Sequence, residues 1–234
     1  MNALNYRRLA RLALLAPIAA CAIGFASPAQ ALVITLTGPA SSATPANNNV
    51  LGAGYQIRDN ALLATTVANV QFQFYFLGSE SGFANTLHTA WGNHTEIDSY
   101  PGWPGTHLFG GTQAAAGALN MSFTSAGGPA GPVTNGGGDG SRSIAFAYLS
   151  PLCLTNGSMV GQQTCVSPTE VLDANGIGYI LFSLDDSGAG PDDNHDDYVG
   201  YMTYQVVPIP AAVWLLGSGL IGLVGLSRRR RVAA

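Results

Sequence analysis

The sequence predicts an all-β fold, an antiparallel β-sandwich with Gly/Ser/Asn-rich loops, flanked by an N-terminal signal peptide and a C-terminal transmembrane helix. Three observations predict it. Short runs of alternating polarity recur, the clearest being Val70-Gln-Phe-Gln-Phe-Tyr-Phe-Leu77, where Val70, Phe72, Phe74 and Phe76 share one face, as a half-buried strand requires. Clusters of Gly, Pro, Ser and Asn, notably Gly127 to Gly140, separate these runs and supply turns. No internal stretch sustains the 3.6-residue period of an amphipathic helix, and no internal repeat is evident.

From the N-terminus, Met1 to Leu12 carries Arg7, Arg8 and Arg11 without an acidic residue, an apolar run follows from Ala13 to Ala26, and Ser27-Pro28-Ala29-Gln30-Ala31 closes it. This is the three-part layout of a secretory signal peptide, with small residues at Ala29 and Ala31 where the peptidase accepts nothing larger. Residues 1–31 are expected to be removed, leaving an exported domain over residues 32–206. A buried N-terminal helix would instead need a polar face, which Ala13 to Ala26 lacks.

Within that domain, strands are expected over Leu32 to Leu36, Val70 to Leu77, Leu119 to Phe123, Ile144 to Leu149, Ile177 to Leu184 and Tyr198 to Val206, an arrangement of short strands and turns that reads as a sandwich. Its length suffices for one sizeable core. It contains Arg58 and Arg142 as its basic residues, no lysine, and all thirteen acidic residues, so its formal charge is minus eleven although the whole chain carries minus four. Phosphate recognition depends on Lys and Arg, which argues against nucleic acid and anionic membrane surfaces as partners; cations and cationic partners are favoured.

Cys21 leaves with the signal peptide, and Cys153 and Cys165 remain. In an exported chain a disulfide between them is expected, worth ~3 kcal/mol for a loop of this length in the chain-entropy model. A reactive thiol is the alternative.

The most informative internal segment is Asp185-Asp186-Ser-Gly-Ala-Gly-Pro-Asp192-Asp193-Asn194-His195-Asp196-Asp197. Six carboxylates between two expected strands repel one another, and a hard cation such as Ca²⁺, which takes six to eight oxygens from flexible loops, would remove that repulsion. Asp192, Asn194 and Asp196 alternate as the first ligands of an EF-hand do, but Asp197 stands where that loop has glycine and Thr203 where it has its closing glutamate. The candidate Ca²⁺ ligands are therefore Asp185, Asp186, Asp192, Asn194, Asp196 and Asp197, with Asp185 or Asp186 closing the site from the opposite strand. A solvated acidic turn is the competing reading.

Catalytic signatures are weak. His88, His94, His107 and His195 are scattered without zinc spacing. His94-Thr-Glu96-Ile-Asp98 and Ser79-Glu80-Ser81 hold acid, base and hydroxyl groups that catalysis would need to converge. No Gly-x-Ser-x-Gly elbow is present, and Gly136-Gly-Gly-Asp-Gly140 lacks the Lys-Ser/Thr of a phosphate loop. Trp91, Tyr100 and Trp103 in a Gly/Pro-rich stretch would suit stacking on sugar rings, or pin a long loop to the sandwich.

At the C-terminus, Ala211 to Leu226 has no charge, and Arg228, Arg229, Arg230 and Arg231 follow almost at once. Extended by Val206 to Ile209 and Ser227, the segment approaches the ~30 Å hydrocarbon core at ~1.5 Å per residue. A transmembrane helix is therefore expected over residues 211–227, with the arginines as a cytoplasmic anchor and everything earlier outside. The prolines of Val207-Pro208-Ile209-Pro210 hold the preceding chain extended.

This order, Val207-Pro208-Ile209-Pro210, then Ala-Ala-Val-Trp-Leu-Leu-Gly-Ser-Gly-Leu, then arginines, resembles the PEP-CTERM sorting signal in its Val-Pro-Leu-Pro-Ala variant and covers residues 207–234. Ile209 stands between the prolines where the usual pattern is Pro-Glu-Pro. The resemblance implies an exosortase-type membrane enzyme as partner, and a cell-surface or extracellular location in bacteria that make exopolysaccharide. Phe76 to Asn85 and the Asp185 to Asp197 block are also similar to segments recurring in exported proteins with this tail, which implies a shared exported β-domain. The expected function is that of a non-enzymatic surface or exopolysaccharide-associated matrix protein. The alternative is a secreted glycan-binding module or a polysaccharide-acting hydrolase.

Overall fold

The computed structural model describes residues 32–45, 47–96, 104–138, 142–151, 163–186 and 194–208, and in the tail 216, 218, 219 and 221. The chain divides into two compact units, Met1–Leu32 and Val33–Ala234. Of the first only Leu32 is described, so the expected signal peptide lies outside the described residues. The second is all-β with antiparallel sheets.

In chain order its strands are β1 (Ile34–Thr37), β2 (Ser42–Ala43), β3 (Gln56–Asp59), β4 (Leu62–Thr65), β5 (Val70–Gly78), β6 (Ala84–Thr89), β7 (Asn93–Thr95), β8 (Thr106–Gln113), β9 (Gly117–Ala118), β10 (Met121–Ala126), β11 (Val133–Thr134), β12 (Ser143–Leu149), β13 (Val166–Ser167), β14 (Gly178–Asp185) and β15 (Tyr198–Val206). The large sheet runs β2-β3-β12-β14-β15-β5-β8 with β13 beside β12, and two smaller sheets run β1-β4-β9 and β11-β10-β6-β7.

β5 alternates as its sequence requires: Val70, Phe72, Phe74 and Phe76 are buried while Gln71, Gln73 and Tyr75 are half-buried. Those four share one core with Phe146, Phe182 and Met202 of the large sheet, and with Ile34, Leu63, Leu87 and Phe123 of the two smaller ones. This is a layered arrangement consistent with a β-sandwich. Burying each such side chain contributes ~1.5–3 kcal/mol. The opposite face of the large sheet, with Ile57, Leu181, Val199 and Tyr201, is covered by Leu51, Tyr55 and Cys165. Strands β12, β14 and most of β15 are consequently buried on both faces and read as continuous apolar runs.

The ladder between β5 and β15 is interrupted at Val199/Gly200. A β-carbon on Gly200 would lie 2.5 Å from the Tyr75 carbonyl oxygen and 2.4 Å from the Phe182 ring, so the close approach of the strands there requires glycine. β15 ends where the tail motif begins. Val207 N donates to Asn69 O (2.8 Å), and Pro208 has no N–H to continue the ladder.

Cys165 is disulfide-bonded; Cys153 lies outside the described residues. So do Ile209, Pro210 and Arg228–Arg231. Among the described residues no helix is long and apolar enough to cross a membrane. Most of the expected span 211–227 falls outside them.

Candidate metal centre

The register gathers the acidic residues at one end of the large sheet. Ser143 pairs with Asp185 at the start of β12, Leu184 with Tyr198 where β14 and β15 meet, Val199 with Gly78 at the end of β5, and Ala145 with Asp59 of β3. Chain segments leaving those strand ends must cross the same edge. The result is a buried polar centre: Asp185, Asp186, Asp196 and Asp197 are each at most 4% exposed.

Two half-clusters make up the centre. In the first, Asp186 Oδ2 accepts hydrogen bonds from Ser81 Oγ and Asn85 Nδ2, both at 2.5 Å, and Asp186 N donates to Asp197 Oδ2 at 2.8 Å. Asn85 is fully buried, its N–H donates to Glu96 Oε1 (2.8 Å), and its own Oδ1 accepts no hydrogen bond. In the second, Asp196 Oδ2 accepts from Asn49 N (2.6 Å), Asp196 O from Glu80 N (2.9 Å), and Asn194 O from Asn48 Nδ2 (2.7 Å). Asn49 Nδ2 also reaches the Glu80 carboxylate. The Asn194 carbonyl and the Asp196 carboxylate thus meet residues 48 and 49, while Asp186 and Asp197 turn toward β6. Asp192 lies outside the described residues.

Electrostatics mark the same place. Burial, reinforced by the charges of Asp186, Asp185 and Asp196, pushes the Asp197 carboxyl up to about 9. Burial also pushes Glu96 up to about 7, against the hydrogen bonds from Asn85 and with the Asp186 charge adding to the rise. Balancing cations are scarce. The chain has no lysine, Arg142 donates to the Pro129, Ala130 and Gly131 carbonyls, and Arg58 lines a cavity beside β12. Buried carboxylates at one strand end are offset by hydrogen bonds, as at Asp186 and Asp196, by protons or by a cation.

The donor set suits Ca²⁺, since every candidate group is a hard oxygen and Asn85 Oδ1 is buried and unspent. Among the described residues no three metal-binding side chains already stand at coordinating separation; several of the carboxylate oxygens are held by N–H and O–H donors instead. A bound ion would therefore have to draw the two half-clusters together.

No family model, curated protein or solved structure matches this chain.

The histidines make contacts of their own. His195, at φ 59° in the left-handed region, places Nε2 3.0 Å from Ser143 Oγ and 3.2 Å from Asp59 Oδ1. Burial raises the Asp59 carboxyl, but the His195 and Ser143 contacts outweigh it and hold the group below its usual range. Because serine and aspartate meet the same ring nitrogen, this trio differs from a relay in which each nitrogen serves one partner. It pins the 194–197 segment to β3 and β12. His94 Nδ1 lies 2.8 Å from Tyr198 OH, His88 Nε2 2.9 Å from Thr124 Oγ1, and His107 Nε2 2.8 Å from Gln73 Oε1. The histidines thus occupy separate local pairs.

Trp91 stacks on Phe72 (centroids 5.6 Å apart), which makes it a pin for the β6–β7 turn. It also lines an open cavity of ≈ 490 Å³ with Thr112, Gln113 and Asn120. Tyr100 and Trp103 lie outside the described residues.

Sequence reasoning missed Ser81, Asn85, Glu96, Asn48 and Asn49 as neighbours of the aspartates. Only the Ser79-Glu80-Ser81 and His94-Thr-Glu96 groups carried a signal, as polar side chains flanking strand-like runs, and nothing local tied them to residues a hundred positions away.

Proposed function

We propose that this chain is an exported, non-enzymatic surface or matrix protein whose β-domain is presented through a processed C-terminal tail and tightened by Ca²⁺ at the carboxylate centre. The observation that carries the Ca²⁺ reading is the burial of Asp185, Asp186, Asp196 and Asp197 at one strand end in a lysine-free chain. Low intracellular and high extracellular Ca²⁺ would leave such a centre loose before export and closed after it, with the submillimolar to millimolar affinity of extracellular modules.

The display reading draws on the two ends. The Arg7, Arg8 and Arg11 segment with its apolar run addresses the chain for export. Val207-Pro208-Ile209-Pro210, residues 211–227 and Arg228–Arg231 form the sorting tail, which an exosortase-type enzyme would process, and exopolysaccharide is the surrounding matrix. The tail follows β15 without a linker, and β15 lies between β14 and β5. Any anchor formed there would pull on a central strand paired on both sides.

The experiment is the intact mass and location of the protein from its host, with and without the membrane sorting enzyme. A mature form that begins near Leu32 and lacks the residues after about Pro210, and that disappears without the enzyme, is expected. An intact C-terminus retained in the membrane in both strains would refute the sorting reading.

A second reading, a secreted glycan-binding module, is favoured by the Trp91 cavity. Trp91→Phe keeps a ring on Phe72, so a loss of polysaccharide retention in that variant with unchanged folding would favour this reading; unchanged retention would remove it.

A further inference from the structure

Two short strands share the outer edge of β12. β3 covers Ala145 and Phe146 through Asp59 and Arg58, and β13 covers Tyr148 and Leu149 through Ser167 and Val166. The gap between them falls at Ala147. There the surface sinks into a cavity of ≈ 180 Å³ lined by Ser41, Gln56, Arg58, Tyr148 and Ser167.

Arg58 is the notable member. It is one of two basic residues between positions 32 and 206, and the other, Arg142, donates to three backbone carbonyls. The Arg58 side chain is half-buried, and no described residue accepts a hydrogen bond from its guanidinium or pairs with it. Glu170, which like Arg58 acts electrostatically on Tyr148, accepts instead from Val33 N, Ile34 N and Tyr204 OH. A guanidinium with unspent donors, set in a concave notch with two hydroxyls and an amide around it, is an incomplete recognition site.

We propose that this notch binds a carboxylate carried on a small polyhydroxyl frame, that is, a sugar acid of the uronate class. The planar guanidinium fork matches a carboxylate through two parallel N–H···O bonds, and the Ser41, Ser167 and Gln56 side chains match ring hydroxyls. The volume falls below the ~300–1,000 Å³ of sites for drug-sized ligands, which limits the occupant to about one sugar unit. The surrounding charge of minus eleven repels anions elsewhere on the domain, so an acidic glycan would touch it through this notch. The assignment depends on neither the carboxylate centre nor the tail.

The test uses the full chain, exported and purified in detergent, titrated at low ionic strength with D-glucuronate, D-glucose, acetate, inorganic phosphate and a short peptide carboxylate. Glucuronate is expected to bind at least ~10-fold more tightly than any of the others. Arg58→Gln is expected to weaken it by ~10-fold or more, and Arg58→Lys by less, with the thermal midpoint unchanged. Ser167→Ala, expected to weaken glucuronate binding a few-fold, serves if Arg58→Gln proves unstable. Absence of glucuronate binding, binding that survives Arg58→Gln, or equal affinity for glucose, acetate, phosphate or the peptide would each overturn the proposal.

Discussion

The aromatic core and the carboxylate centre lie next to each other on the same strands, and they reach stability by opposite means. In the core, Tyr198 is fully buried with its ring centroid 5.0 Å from Phe76 and 4.9 Å from Phe123; the chain supplies both sides of every contact. One residue earlier, Asp197 is nearly as buried, but its neighbours Asp186, Asp185 and Asp196 carry the same charge. Apolar surface is satisfied by shape alone, whereas like charges need a partner of opposite sign, and this chain is short of them. The core is therefore complete without ligand, whereas the centre rests on hydrogen bonds to Asp186 and Asp196 and on a raised Asp197 carboxyl.

Five measurements sharpen that contrast. Phe182→Ala, which removes a ring packed against Phe74, Phe123 and Tyr198, should cost ~3–5 kcal/mol with or without Ca²⁺; a cost that Ca²⁺ abolishes would mean the two regions are not separate. Saturating Ca²⁺, at about 100 times its dissociation constant, should stabilise the native chain by ~2.7 kcal/mol in a chemical denaturation curve. Asp197→Asn should abolish that gain while leaving the metal-free protein as stable or more so, whereas Asp186→Asn should abolish it and cost ~1–2 kcal/mol through the lost acceptor for Ser81 and Asn85; no Ca²⁺ effect on the unsubstituted chain would reject the metal reading.

Gly200→Ala, by pressing a methyl onto the Tyr75 carbonyl and the Phe182 ring, should cost ~1–3 kcal/mol. Glu170→Gln, which weakens acceptors for Val33 N, Ile34 N and Tyr204 OH, should cost ~1–2 kcal/mol and release β1 first in hydrogen exchange.

The smallest effect is a pH dependence. Burial holds the His94 imidazole below its ordinary 6.5, so the unfolded chain takes up this proton at a higher pH than the native one. The His94 contribution is present above the unfolded value and is lost as pH falls below it. His94→Gln should flatten that part of the stability curve between pH ~7 and ~5, and an unchanged slope would reject the assignment.

Legibility in the sequence follows the range of the interactions. β5 and β15 were readable almost to the residue, because Val70 to Leu77 carries its own alternation and Tyr198 to Val206 is rich in β-formers. β8 was not. Thr106-His-Leu-Phe-Gly-Gly-Thr-Gln113 has two adjacent glycines and little apolar content, and it pairs with β5 along its edge; Gly110 and Gly111 are there because Gln73 and Trp91 occupy the space a β-carbon would need. β4 and β6 were hidden likewise, as brief stretches whose buried residues have partners on distant strands.

The density of acid between Asp185 and Asp197, the absence of lysine, the period-two runs and the signal- and tail-like ends were set by the sequence alone, since each is a property of neighbouring residues. Tertiary structure decided that Asp185, Asp186, Asp196 and Asp197 are buried, that Ser81, Asn85, Asn49 and Glu80 meet them, that β15 lies between β14 and β5, and that β3 and β13, both beside β12, leave a notch at Arg58. Those features depend on which strands pair and in what register, and pairing is chosen by the burial of the whole apolar set at once, which no local stretch of chain contains.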